Sequence, residues 1–443
     1  MAYNHPWPPE SNNKKYQVNN LHQAMQYDAY GQPALRTIGV SGDSTISAGT
    51  DAFGRQKVSQ PYTLFDAQLR YSKRTDLFDE QLTGAGSTTY QINESTLDLE
   101  VTDASGDKVT RESKYVFPYQ PGKSLQILAT FVMNEGKTGL SQCVGYYNDS
   151  NGIFFANIDG VNYFVKRSFI SGTVVETKVA QSDWNIETLD GNSVSGIDID
   201  ITKAQILFMD LEWLGVGQVR TGFVVDGNFY YCHVFKHANV ISSVYMTTAV
   251  LPIRYEIENT SATASASTMK QICSTVISEG GYNQNTPINF VSNGVNGQNL
   301  TTKGAEYPLI SIRLNSSRLD SVVVIRKLEM LILSNQNVLF KILKNPTITL
   351  NGTSWQTHTN GIVDYVLHDI NSGGGNVPDT FSGGVEVTGG WLSTDSGTAG
   401  LDSNLIIQLG RFLDGTSDIY TVVASPANNG VNVSALLGWG ELI

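Results

Sequence analysis

The chain has little charge, little cysteine and no long apolar run, and each shortage removes a class of function. Charged side chains make up 16% of the 443 residues, and 29 basic against 41 acidic residues leave a net charge of −12 with no cluster of Lys or Arg. A surface that neutralises phosphates needs the opposite balance, so no nucleic-acid partner is expected. The three cysteines, Cys143, Cys232 and Cys273, are odd in number, widely spaced and set among apolar or small residues. Buried free thiols are expected from them, not disulfides or metal ligands. No stretch approaches the ~18 apolar residues of a membrane span, and no charged-then-apolar leader opens the sequence, so a soluble protein made in a reducing compartment is expected, without membrane insertion. The motifs GxxxxGK[ST], GxSxG and HExxH are all missing, which removes the usual support for phosphate-loop, hydrolase-elbow and zincin chemistry. Gly122-Lys123-Ser124 lacks the earlier glycine of a phosphate loop and reads as a turn into a strand. No catalytic, cofactor-binding or metal-binding residues are predicted, and no enzyme.

What is present in quantity is Gly (42), Tyr (20) and Phe (17), a mix suited to short strands joined by turns. The clearest case is Ala204 to Phe235. Leu207, Met209, Leu211 and Trp213 alternate with Ile206, Phe208, Asp210 and Glu212, the period of two that gives a strand one buried face and one that runs from covered to wet. Val219 to Val225 resumes the pattern, Asp226-Gly227 marks a tight hairpin, and Asn228 to Phe235 follows. Leu207, Met209, Leu211, Trp213, Phe223 and Phe229 are the predicted core of this region.

An all-β fold of two tandem β-sandwiches, jelly-roll or concanavalin-like, behind an extended N-terminal arm is therefore predicted. The arm is 1–50, where Pro6, Pro8 and Pro9 crowd together and Trp7, Tyr16, Leu21 and Met25 are apolar handles on a polar thread. The first sandwich is assigned to 51–265. It includes strands at Ser95–Thr102, Lys114–Phe117 and Ser124–Met133, a meander over Gly152–Gln181 turning at Asp159-Gly160 and Ser171-Gly172, and one more strand at Val250–Glu258. A polar connection over 181–203, anchored by Trp184 and Leu189, is expected to cover a sheet edge or carry an interface. The small-residue run SATASAST at 261–268 suggests the boundary, and 266–443 is the second sandwich, with strands every 10 to 15 residues or so from Tyr307 to Glu441.

Three constellations invite chemistry. Asp210 and Glu212 share a strand face at ~6.6 Å, a glycosidase-like spacing. The stretch resembles the Glu-x-Asp-x-Glu motif of jelly-roll glycosidases similar to laminarinases, but Phe208 stands where that resemblance requires the nucleophile, so a structural pair is expected. His233 and His237, near Cys232, are ~13 Å apart on an extended strand, too far to share an ion unless the strand ends between them. Asp149-Ser150-Asn151-Gly152 and Asp198-Ile199-Asp200 offer oxygens for calcium, yet turn chemistry explains both.

Several stretches carry a family likeness: AFGRQKVSQPYTLFD (Ala52–Asp66), YQPGKS (Tyr119–Ser124), NGIFF (Asn151–Phe155), EWLGVGQVRTGF (Glu212–Phe223) and LPIRYEI (Leu251–Ile257). Together they resemble uncharacterised virion structural proteins of tailed bacteriophages, over roughly residues 50 to 280. The resemblance implies a virion component: an assembly or adaptor subunit of the tail, baseplate or fibre-attachment region, partnered by other virion proteins and copies of itself. The alternatives are a receptor-binding module that takes host glycan through exposed aromatics such as Trp184, Trp355 or Trp391, or a decoration protein of the capsid head.

Overall fold

The computed structural model describes residues 60–283, 286–334, 336–371, 377–393 and 407–442, and the backbone of 25–27 and 33–35. The structure is all-β; one 3-10 turn, Gln181–Asp183, is its sole helical element among the described residues. In the arm, Met25–Tyr27 pairs antiparallel with Pro33–Leu35, Gln26 opposite Ala34. Trp7, Tyr16 and Leu21 lie outside the described residues, as does the side chain of Met25.

The first sandwich packs a seven-stranded sheet on an eight-stranded one. The seven-stranded sheet runs, edge to edge, through Val175–Ala180, Val161–Ser168, Gly152–Ile158, Leu140–Tyr147, Ile253–Asn259, Lys108–Ser113 and Phe78–Thr83. The other runs Asn228–Phe235, Val219–Val225, Gln205–Leu211, Leu125–Val132, Ser267–Ser278, Thr96–Val101 and Ser87–Gln91, with Tyr62–Gln68 also beside Ser267–Ser278. The predicted alternation places Leu207, Met209 and Leu211 inward, fully buried against Phe223, Ile127, Phe155 and Tyr255. The expected Asp226-Gly227 turn forms, with φ of 50° and 78°, the left-handed pair that a two-residue hairpin demands.

Three expectations need correction. Trp213 is half-buried at the margin of the core, because Gln205–Leu211 ends two residues earlier and its indole turns to donate to the Met246 carbonyl at 3.3 Å. Phe229 lies on the outer face of the sheet, its ring 4.9 Å from that of Phe208. The boundary at 265/266 is misplaced: Ser267–Ser278 is a twelve-residue strand at the heart of the first sandwich, paired with Leu125–Val132, Thr96–Val101 and Tyr62–Gln68. The small-residue run before it is a loop held by Thr263 N–H on the Asp103 carbonyl at 2.9 Å.

The second sandwich, from Ile288 onward, packs a five-stranded sheet (Ile288–Ser292, Val431–Leu442, Val322–Ile332, Ile407–Gln408, with Gln298–Leu300 also on Val431–Leu442) on a six-stranded one. The latter runs Gln356–Thr357, Val363–Leu367, Tyr307–Leu314, Ile419–Pro426, Val338–Lys344 and Val385–Leu392. Its core is separate from the first and centres on Trp439, Leu437, Ile325, Ile342 and Val422.

Between the two cores lies a polar joint with a small apolar seam. The Glu112 carboxylate takes Arg254 Nε at 2.5 Å from its own sheet and the Arg411 guanidinium from the second sandwich. Leu413 N–H donates to Asp79 at 2.8 Å, Arg411 N–H to the Lys114 carbonyl at 2.8 Å, and Val116 packs on Val322 and Val324.

Candidate functional site

The outer face of the central hairpin carries Asp210, one of the two carboxylates with glycosidase-like spacing. Asp210 and Arg220 face each other on neighbouring strands, and the guanidinium donates through Nε to Oδ1 at 2.6 Å and through Nη2 to Oδ2 at 2.5 Å. Both side chains are buried. Burial lowers the Arg220 pKa and the Asp210 charge more than offsets it, so the guanidinium stays above its ordinary value. Arg220 also lies 4.8 Å from the Tyr231 ring, while Phe208 lies over Gly222, where a Cβ would sit 2.9 Å from the ring. Burial pushes the Tyr231 phenol well above its usual range. Glu212 stands past the strand end, with Oε1 accepting from Gln218 N–H at 3.1 Å. Each carboxylate is engaged by a different group, one in an ion pair across strands and one in a turn. The two are not set on either side of an open cleft as a glycosidase pair would be.

The histidines do not converge either. His237 stacks on Tyr245 (4.0 Å, 7°), its Nδ1 is 2.6 Å from the Gly217 carbonyl and its Nε2 3.1 Å from the Lys166 ammonium. A neutral ring that donates from Nδ1 and accepts at Nε2 satisfies both contacts. His233 packs on Phe235, and its Nδ1 faces Asn185 N–H at 3.4 Å. Burial lowers both to about 4. Burial also pushes the Cys143 thiol up to about 12 and the Cys232 thiol well above its ordinary value. At the acidic turns, Asp149 accepts from Arg254 at 2.5 Å, and Asp200 from Thr202 N–H at 2.9 Å and its hydroxyl at 2.6 Å. Among the described residues no group of three or more His, Cys, Asp and Glu is placed to hold a metal ion.

One constellation was not visible in the sequence. In the second sandwich Ser311 Oγ is 2.7 Å from His368 Nε2, whose Nδ1 is 3.2 Å from Asp379. The order is that of a nucleophile, base and orienting carboxylate, but Ser311 and His368 are fully buried and Asp379 nearly so. Ser311 also bonds Thr421 at 2.7 Å, and Asp379 accepts from Asn351 N–H, Thr353 Oγ1 and Asp369 N–H. The network ties Asn351, Thr353 and Asp369 to the sheet, and its three central side chains are closed off from solvent. Its members are 57 and 11 residues apart, a spacing that only the fold brings together.

The three tryptophans proposed for glycan differ sharply. Trp184 is buried against Phe164 and Phe223, with Nε1 donating to the Val179 carbonyl at 3.2 Å. It is a core anchor and cannot face a sugar. Its neighbours Asn185, Ile186 and Glu187 bond the Cys232 and Val234 backbone and so cover the Asn228–Phe235 edge. Trp355 is half-buried with the Arg313 guanidinium 4.2 Å from its ring centre. Trp391 is 67% exposed on the edge strand Val385–Leu392. On the neighbouring strand, Lys341 pairs with Glu386 of the edge strand at 2.6 Å and with Glu306, just ahead of Tyr307–Leu314, at 2.8 Å.

No family model and no curated protein matches the chain. Among solved structures it is similar to a protein of unknown function from Shewanella oneidensis MR-1 (8% identity, TM-score 0.34, covering 63% of this chain and 99% of that one). It is also similar to the CBM2 module of the evolved Dit of Lactobacillus casei BL23 phage J-1 (6%, 0.34, 50% and 98%). A third is the carbohydrate recognition domain of Emp47p (13%, 0.30, 49% and 95%). At these TM-scores the likenesses carry no argument about function.

Proposed function

We propose that the chain is a non-enzymatic structural subunit of a bacteriophage virion, acting in assembly or as an adaptor in the tail, baseplate or fibre-attachment region. The observation that carries the reading is the joint at Glu112, where Arg254 of one sandwich and Arg411 of the other close on one buried carboxylate. A linker between independent modules would leave such groups in water. Here the two sandwiches form one block, and the chemistry-bearing clusters described above are closed upon themselves, which suits a part that transmits load and presents surfaces. The local resemblance over residues 50 to 280 points the same way. Its partners on this reading are other virion proteins and further copies of the chain, with the arm reaching a neighbour through Trp7, Tyr16, Leu21 and Met25. The test is placement in a density map of the intact particle. Density for two fused sandwiches at a symmetric tail, baseplate or fibre-attachment position supports the reading; density on the capsid head favours the decoration alternative.

A second reading rests on Trp391. An exposed indole on an edge strand, paired with Leu339 two residues along from Lys341, which holds Glu306 and Glu386, is a stacking platform with a polar group nearby, of the kind that holds a sugar ring. A glycan array probed with the full chain tests it: binding lost in Trp391→Ala supports a receptor-binding role, and an array without signal removes it.

A further inference from the structure

We propose that the edge strand Ile288–Ser292 is a docking edge for the chain's own segment 36–59, which adds to the five-stranded sheet as a further, antiparallel strand.

Among the described edge strands of five or more residues, this one differs in what it lacks. Val175–Ala180 carries Glu176 and Lys178, Phe78–Thr83 carries Asp79 and Glu80, and Val385–Leu392 carries Glu386, the charges that keep an open edge from pairing. Asn228–Phe235 is covered by the Asn185 segment, and Ser87–Gln91 turns Thr88, Thr89 and Gln91 onto neighbouring carboxylates. Ile288–Ser292 reads INFVS, with no charge and no proline. It is bonded on one side to Val431–Leu442, and no described strand pairs with its other side. Ile288 and Phe290 are 53% and 57% exposed, opposite Gly440 and Gly438, which bring no side chain to cover them. That is an invitation to main-chain pairing with apolar side chains placed to receive a partner's alternate residues.

The root of segment 36–59 identifies the occupant. Tyr62 pairs with Ser278, and its ring stacks on Tyr282 (5.5 Å, 16°), while the Gln60 carbonyl lies beside Gly281. The connection is fixed there, because the Gln120 side chain bonds the Asn283 backbone at both its carbonyl (2.5 Å) and N–H (2.8 Å). By Thr286 it has reached Gly440. Traced backwards from Gln60, the chain therefore leaves the first sandwich at the place where the connection departs for Ile288, and a segment ahead of Gln60 laid along Ile288–Ser292 has the antiparallel sense. About seven extended residues, ~25 Å at most, separate Gly281 from Ile288, so a 24-residue segment has length to spare. The inference goes beyond the virion reading: it gives a place to 36–59, whereas the side chains by which that reading has the arm reach a neighbour, Trp7, Tyr16, Leu21 and Met25, all precede it.

Disulfide scanning in the full-length chain tests it. Cysteine is placed at Phe290, an exposed position, and singly at successive positions of segment 36–59; each pair is oxidised mildly and run on a non-reducing gel. The expected result is crosslinking at every second position within one short window, in the monomer band. Crosslinks only in a dimer band would show that a second copy supplies the strand and overturn the proposal, as would crosslinking with no two-residue period. Hydrogen exchange at 288–292 is the independent readout. Removing residues 1–59 should speed exchange there at least ten-fold and leave Val322–Ile332 unchanged; equal rates would also overturn it.

Discussion

Arg220 closes on Asp210 from the neighbouring strand through two hydrogen bonds of 2.6 and 2.5 Å, and neither side chain meets solvent. This pairing answers the question that Asp210 and Glu212 raise. A catalytic acid needs access to its substrate, whereas Asp210 is covered and both its oxygens are taken by Arg220. Asp210→Asn should cost about 3 to 5 kcal/mol, because it leaves a buried guanidinium without its counter-charge. Urea denaturation checks this; a loss below about 1 kcal/mol would mean that water reaches the pair.

His233 and His237 sit near 4 because burial disfavours the imidazolium; at His237 the Lys166 ammonium adds to that and the Gly217 carbonyl opposes it. In the unfolded chain both titrate near 6.5. Between those values the unfolded chain binds more protons, so this contribution is whole above about pH 6.5 and is lost as pH falls towards 4. The melting temperature should drop by several degrees between pH 7 and pH 4.5. The double variant His233→Asn, His237→Gln should start lower and show a flatter slope over that window. An unchanged slope would assign the acid sensitivity to other groups.

Trp184 and Trp391 should respond in opposite ways. Trp184→Ala empties a site walled by Phe164 and Phe223 and should cost about 3 to 5 kcal/mol. Trp391→Ala, at an exposed position, should stay within about 0.5 kcal/mol. Thermal unfolding of the two variants side by side checks the assignment, and comparable losses would contradict it.

The strands were legible wherever alternation was clean. Tyr307–Leu314 lies where the sequence puts it, and Leu125–Val132, Val322–Ile332 and Val431–Leu442 differ from expectation by a residue or two at an end. Ser267–Ser278 escaped because its inward positions include Ser267, Gln271 and Ser274. Gln271 is turned inward by the buried Arg111, whose Nε it accepts and whose pKa burial lowers to about 10. A polar pair in the core erases the apolar period that marks a strand. Leu140–Tyr147 was hidden for another reason: its outer face carries Cys143 and Tyr147, packed with Phe154, Ala156 and Val165 into an outer cluster under Arg167 and Arg254. With both faces covered, Cys143 to Tyr147 carry no apolar-polar alternation to mark a strand. The site was less legible. Trp184, Trp355 and Trp391 look alike as letters, and only the fold separates an anchor from an exposed ring. Ser311, His368 and Asp379 have no local spacing to betray them.

On the proposed function the chain attaches through its arm in an assembled particle. Replacing Trp7, Tyr16, Leu21 and Met25 by serine leaves segment 36–59 and both sandwiches untouched, and removes ~1.5 to 3 kcal/mol of apolar burial per side chain at the neighbour's surface. The measurement is the copy number of the variant in purified particles, by quantitative mass spectrometry, with circular dichroism as the folding control. Attachment through the arm requires an unchanged β-rich spectrum and a protein missing from the particles; incorporation at the normal copy number would rule it out and put the attachment surface on the sandwiches.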